Sequence, residues 1–296
     1  MTSNAGGEEV STGMIERGTV PLNGLEFNYL AGGPTAGKPV ILLHGFPQFA
    51  DVWTPLLDKL GALGFRAVAL EQRGYSPNAR PVEVEEYALP KLNADVLALV
   101  DHLAWPQFHL IGHDWGGFLA WALAAKHPGR VQSLTVLSTP HVNAFLEAVA
   151  CDPDQKARSQ YIQWFKIPGN VAEAVFLKDD GQRLRGVYQG KVPDEQVSRN
   201  LQRLLEPGAL TATLNWYRAL DLDTRIGHVC VPTLYVWGDE DMALGRAAAE
   251  ATERYVSGPY RFEALPGYSH WLLDEAREQL SNLIVNHLTG SQSRPA

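Results

Sequence analysis

Cysteine is scarce in this chain. The 296 residues contain two, Cys151 and Cys230, far apart and in no CxxC or metal-ligand spacing. That excludes a disulfide framework and a cysteine metal site, and it predicts a reducing, cytoplasmic compartment. Long apolar runs are missing as well. None approaches the roughly 20 residues that span a bilayer, so no membrane segment is expected. Positive charge is in deficit: 25 Lys and Arg face 33 Asp and Glu, a formal charge of −8. That argues against nucleic acid or an anionic membrane as partner. Residues Met1 to Thr12 carry neither a basic nor an apolar stretch, so they read as tail and not as a signal peptide. There is no internal repeat and no low-complexity tract.

What the chain has is rhythm. Val40-Ile41-Leu42-Leu43 is a short apolar run ending in a His-Gly turn, which reads as a buried strand. Trp53 to Leu63 has helical apolar spacing and stops at Gly64. Ala67 to Leu70 is the next strand and Leu89 to Leu103 the next helix. Strands follow at Phe108 and at Leu134 to Leu137, with a helix between them. Strands alternating with helices at short spacing predict an α/β fold: a mostly parallel central sheet with helices on both faces. The rhythm breaks at Pro140 and returns at Thr233 to Trp237 and Tyr260 to Leu265. The expected organisation is a flexible tail over 1–18, a core over 19–140 and 226–290, and an inserted helical cap over 141–225. Such a cap would roof the C-terminal edge of the sheet, where open α/β folds bind ligands.

The densest chemical signal is Gly112-His113-Asp114-Trp115-Gly116-Gly117, placed between an apolar strand and a helix opening at Phe118. A sharp, glycine-flanked strand-to-helix turn is the nucleophile elbow of the α/β-hydrolase fold. Its tip here is Asp114. An Asp at that place attacks carbon and forms an alkyl ester, where a Ser would form an acyl-enzyme. In the chain order such sites require, an acid and then a His should follow. His270 stands in the loop after the last strand. The acid belongs after the strand before it, in Gly238-Asp239-Glu240-Asp241. Asp241, fourth in the turn, is favoured, with Asp239 as the fallback; its role would be to orient the imidazole and stabilise its charged form. The turn His44-Gly45-Phe46-Pro47 ends an earlier strand and can offer the Phe46 amide to an oxyanion, with the Trp115 amide as second donor. His44 and Pro47 are expected to border the substrate.

These residues, with Arg73-Gly74-Tyr75-Ser76, make the chain resemble the epoxide hydrolases of the α/β-hydrolase superfamily from about Val20 to Leu288. Two cap segments carry the resemblance further: Asn215-Trp216-Tyr217-Arg218, and Tyr161 to Gly169. The resemblance implies that Tyr161 and Tyr217 stand over Asp114 as ring-opening proton donors. A phenol, with an ordinary pKa near 10, keeps its proton at neutral pH yet can release it to an alkoxide. Trp164 and Phe165 suggest an aromatic pocket wall. The chain departs from relatives at Glu71, where Asp is commoner, and at Gln48, where many have Glu.

The expectation is a cofactor-free, metal-free hydrolase that uses water to turn an apolar epoxide into a vicinal diol. A dehalogenase using the same Asp, with Trp115 and Trp164 as halide donors, is the alternative. A non-catalytic fold that binds a small molecule is a second. A homodimer stays open.

Overall fold

The computed structural model describes residues 15–290. Residues 1–14 of the expected tail, and residues 291–296, lie outside the described residues. Eight strands form one sheet: β1 Glu16–Leu22, β2 Leu25–Gly32, β3 Lys38–Leu43, β4 Phe65–Leu70, β5 Phe108–His113, β6 Val131–Leu137, β7 Thr233–Gly238 and β8 Tyr260–Leu265. Their spatial order is β1-β2-β4-β3-β5-β6-β7-β8. β2 runs antiparallel to both its neighbours, and every pair from β4 to β8 is parallel. The α/β architecture read from the sequence is therefore present.

Burial explains the composition of the strands. Val40 to Leu43 are wholly buried, as a central parallel strand covered on both faces must be. The helix Leu89–His102 opens with Pro90 in its first turn and buries one stripe, including Leu92, Val96 and Leu99. The elbow helix Trp115–Lys126 is apolar all round, and its residues from Trp115 to Ala124 are all buried.

One boundary expectation fails. Glu16, Arg17 and Gly18 belong to β1 and not to a tail, since β1 pairs with β2 from Glu16 to Leu22. The hairpin turns at Asn23-Gly24, both at positive φ (49° and 80°), the backbone a tight two-residue turn demands.

Between β6 and β7 the secondary structure is helical throughout, from Val142–Cys151 to Ala209–Arg218. Those helices contribute side chains above the C-terminal ends of the strands. From β3 the chain moves outward to β4 and then crosses back past β3 to β5, so the direction of winding reverses there. A crevice opens at such a switch point. The turns after β3 and β5 flank it, and both carry residues singled out above.

Candidate active site

Asp114 caps β5 with φ 52° and ψ −121°, a conformation disfavoured for any residue with a Cβ. The surrounding backbone holds it there. The Asp114 carbonyl accepts from the Phe118 amide at 3.0 Å and from Thr139 Oγ1 at 2.7 Å. The glycines around it are steric necessities. A Cβ on Gly116 would lie 2.1 Å from the Leu43 carbonyl oxygen, and one on Gly45 would lie 2.2 Å from Asp114 Oδ1. The turn after β3 can thus press against the carboxylate. There the Phe46 amide donates to Asp114 Oδ1 at 2.7 Å. The Trp115 amide also bonds to the Asp114 carboxylate.

His270 arrives from the loop after β8. Its Nε2 is 3.4 Å from Asp114 Oδ2 and its Nδ1 is 2.8 Å from Asp241 Oδ2. Asp241 is buried, and its other oxygen accepts from the Ala243 and Leu244 amides at 2.8 and 3.0 Å. Asp239 points elsewhere and accepts from the Gly267 amide at 2.7 Å. The geometry therefore brings together Asp114, His270 and Asp241.

Electrostatics follow from this packing. Burial alone would push the Asp114 carboxyl up; the His270 hydrogen bond and charge, His113 and the Trp115 amide outweigh it and hold it below its ordinary value. Burial opposes charge on His270 too. Asp241 and Asp114 on either side override that and raise the imidazole to about 10. Burial lowers His113 to about 4 and His44 to about 3, so both stay neutral at pH 7. For Tyr161 and Tyr217, burial and then nearby acidic groups, Asp114 among them, raise the phenols above their ordinary value, so both keep their protons.

Two cavities meet at Asp114, Tyr161 and Tyr217. The larger, about 170 Å³, is bordered by Phe46, Trp164, Phe165, Met242 and Trp271. The smaller, about 40 Å³, is bordered by Trp115, Phe118, Phe145, Ile162 and Leu220. The rings of Tyr161 and Tyr217 lie 5.9 Å apart, edge to face. Trp164 and Phe165 line the larger cavity.

Two expected substrate contacts are corrected. His44 is fully buried away from both cavities. Its Nδ1 faces the Gly45 carbonyl at 3.3 Å and its Nε2 accepts from the Gln72 amide at 3.3 Å, so it braces the turn. Pro47 is buried too, and its carbonyl accepts from the Tyr188 hydroxyl at 2.7 Å. The Phe46-Pro47 bond is cis. The departures at Gln48 and Glu71 also lie outside the cavities: Gln48 donates to Asp274 at 2.8 Å, and Glu71 pairs with Arg203. Arg73 is structural, paired with Asp95 at 2.7 Å and with Glu86 at 3.0 Å.

Sequence reasoning missed the supports of His270. Its carbonyl accepts from His113 Nε2 at 2.9 Å and Ser138 Oγ at 3.0 Å. Arg158 donates to the Asp241 carbonyl at 2.6 Å. Adjacency to the elbow was a signal for His113; Ser138 and Arg158 had none. Among the described residues, no cluster of three or more His, Cys, Asp or Glu could hold a metal ion, and no helix is long and apolar enough to cross a membrane.

Residues 38–276 match the family model described as alpha/beta hydrolase fold. Mouse epoxide hydrolase 4 is 34% identical over 275 residues, which cover 88% of this chain and 76% of that protein. The AB hydrolase superfamily protein YfhM of Bacillus subtilis is 33% identical over 277 residues, covering 91% and 96%. The crystal structure of Bacillus megaterium epoxide hydrolase in complex with an inhibitor superposes with a TM-score of 0.84 at 25% identity, covering 92% of this chain and 100% of that one.

Proposed function

The chain belongs to the α/β-hydrolase fold family, among its epoxide hydrolase-like members, and from that premise we propose that it opens epoxides to vicinal diols through an ester on Asp114. One observation carries this reading. A carboxylate held ionised and two protonated phenols line the same mostly apolar cavity. An epoxide needs both: a nucleophile for carbon and an acid for the oxygen it releases.

The proton balance closes with these groups alone. An Asp114 oxygen bonds to an epoxide carbon while the ring C–O bond breaks, and the ring oxygen takes a proton from Tyr161 or Tyr217. Esterification cancels the Asp114 charge, one of two that hold the proton on His270. His270 can now return a proton to the phenolate and become neutral. It then takes a proton from water as the water oxygen attacks the ester carbonyl. The Phe46 and Trp115 amides hold the resulting oxyanion. Collapse breaks the bond between the former carboxylate carbon and the alkyl oxygen, the alkoxide takes the proton of the restored carboxyl group, and His270 is again charged. Asp241 orients the imidazole throughout. The two exposed, unpaired cysteines fit a reducing, cytoplasmic setting.

The Bacillus megaterium enzyme has been crystallised, as a point mutant, with its product (R)-3-[1]naphthyloxy-propane-1,2-diol, an aryl-armed diol. The direct test here is chromatographic detection of diol from styrene oxide, beside halide release from a matched chloroalkane. Diol without halide is expected. Halide release without diol would favour the dehalogenase reading, and neither activity would favour a non-catalytic one.

A further inference from the structure

The two cavities at Asp114 differ about fourfold in size, roughly 170 against 40 Å³. An engineered cavity of about 150 Å³ accommodates benzene, whereas a single water needs about 10 to 15 Å³ of such space. The larger lobe therefore has room for an aryl ring or a short alkyl arm. The smaller has room for a few water-sized groups, a short alkyl substituent but no second ring.

Beyond the small lobe lies a third cavity, about 240 Å³, lined by Leu89, Leu92, Trp216, Ala219 and Thr224 among others. Trp115, Phe118 and Leu220 line both it and the small lobe, and so form a partition between them. Each is buried. Trp115 and Phe118 meet edge to face at 5.3 Å. The wall is built on the same segments as the reactive groups. Phe118 stands one turn after Asp114, and Leu220 stands three residues after Tyr217 with its amide bonded to the Tyr217 carbonyl at 3.3 Å. Phe118 lies on the helix that Asp114 caps and Leu220 just past the end of the helix that carries Tyr217, so whatever places the nucleophile and a phenol also places the partition.

We infer that Phe118 and Leu220 set substrate shape: the site takes terminal epoxides bearing one apolar arm and rejects 1,2-disubstituted epoxides with a bulky group on each carbon. The inference rests on the epoxide reading above. Trp115 completes the wall, but its amide belongs to the proposed oxyanion site, so it is a poor probe.

The test compares styrene oxide with trans-stilbene oxide, by kcat/KM, in the wild type, Leu220→Ala and Phe118→Ala. Leu92→Ala is the control, since it enlarges the outer cavity without breaching the partition. A steric mismatch of one group in an apolar pocket discriminates by about 10- to 200-fold. The wild type should prefer styrene oxide by at least about 100-fold, and either breaching variant should narrow that ratio at least about tenfold. Leu92→Ala should leave the ratio as it is. Product binding separates shape from chemistry. By calorimetry, 1-phenyl-1,2-ethanediol should bind the wild type, and hydrobenzoin should bind only the breached variants. A wild type that opens both epoxides alike overturns the inference, as do folded variants with an unchanged ratio. If no epoxide is opened yet the diols discriminate as stated, the function fails and the shape inference stands. If the diols do not discriminate, the shape inference fails on its own.

Discussion

Asp114 and His270 hold each other's charge. The carboxylate raises the imidazole and the imidazole lowers the carboxyl, both against burial. The sign of the stability effect follows. His270 is raised above its ordinary value, so its contribution is complete below about 6.5 and fades as pH climbs towards about 10. Asp114 is lowered, so its contribution is complete above its ordinary value and lost as pH falls through the depressed one. Urea unfolding of the wild type and His270→Gln at pH 6.5 and 9.5 should show the wild type losing stability relative to the variant at the higher pH. A constant difference would mean that the imidazole is not charged in the folded resting protein. The phenols invite a second test. Tyr161→Phe or Tyr217→Phe removes a donor needed only as alkoxide develops, and a lost donor of that kind costs up to about 10²- to 10³-fold. Because one phenol can partly replace the other, each single variant should lose less and the double variant nearly all. Stopped-flow alkylation should slow while ester hydrolysis does not. Unchanged alkylation in the folded double variant would remove the tyrosines from the mechanism.

At the scale of elements, the site depends on two turns in contact. Gly45, after β3, leaves no room for a Cβ beside Asp114 Oδ1. Gly45→Ala should therefore keep its circular dichroism but lose about 10²-fold or more in kcat/KM, since shifts of about 1 Å at reacting groups carry such penalties. Normal turnover would show that the turn can yield. The same turns mark what was legible in the chain. Apolar runs ending in Gly-containing turns exposed β3, β5 and the elbow, because a doubly covered strand must be apolar and a tight turn needs glycine. Order along the chain then located His270 and Asp241. The hairpin of β1 and β2 was not recognised although Asn23-Gly24 signals it, because its half-buried strands carry polar residues on one face. His44 and Pro47 were misplaced for a different reason. Residues of a turn beside a nucleophile can brace it from behind or border the substrate, and only the packing of Gln72 and Tyr188 decides which. Phe118 and Leu220 look like any core residue, so the shape of the cavity could not be read from one sequence.

For the whole molecule, one apolar cluster runs from Val20 and Phe27 in the hairpin, through Trp115 and Phe118, to Phe176, Leu184 and Leu204 in the helical insertion. Polar ties reinforce the seam: Tyr188 to the Pro47 carbonyl, Trp216 Nε1 to the Arg73 carbonyl at 2.8 Å, and Arg203 to Glu71. An insertion sharing its core with the sheet should not melt separately. Scanning calorimetry should show one transition, with calorimetric and van't Hoff enthalpies in agreement. Two resolved transitions would mean that the insertion folds as its own unit.

The central claim is that Asp114 itself supplies the oxygen that appears in the product. A single turnover of styrene oxide by excess protein in ¹⁸O-water, read by mass spectrometry of the diol and of the peptide containing Asp114, tests it directly. The account predicts an unlabelled diol from the first turnover and label retained on the Asp114 carboxylate. Label in the first-turnover diol, with none on Asp114, would mean that water attacks the epoxide itself and would contradict it.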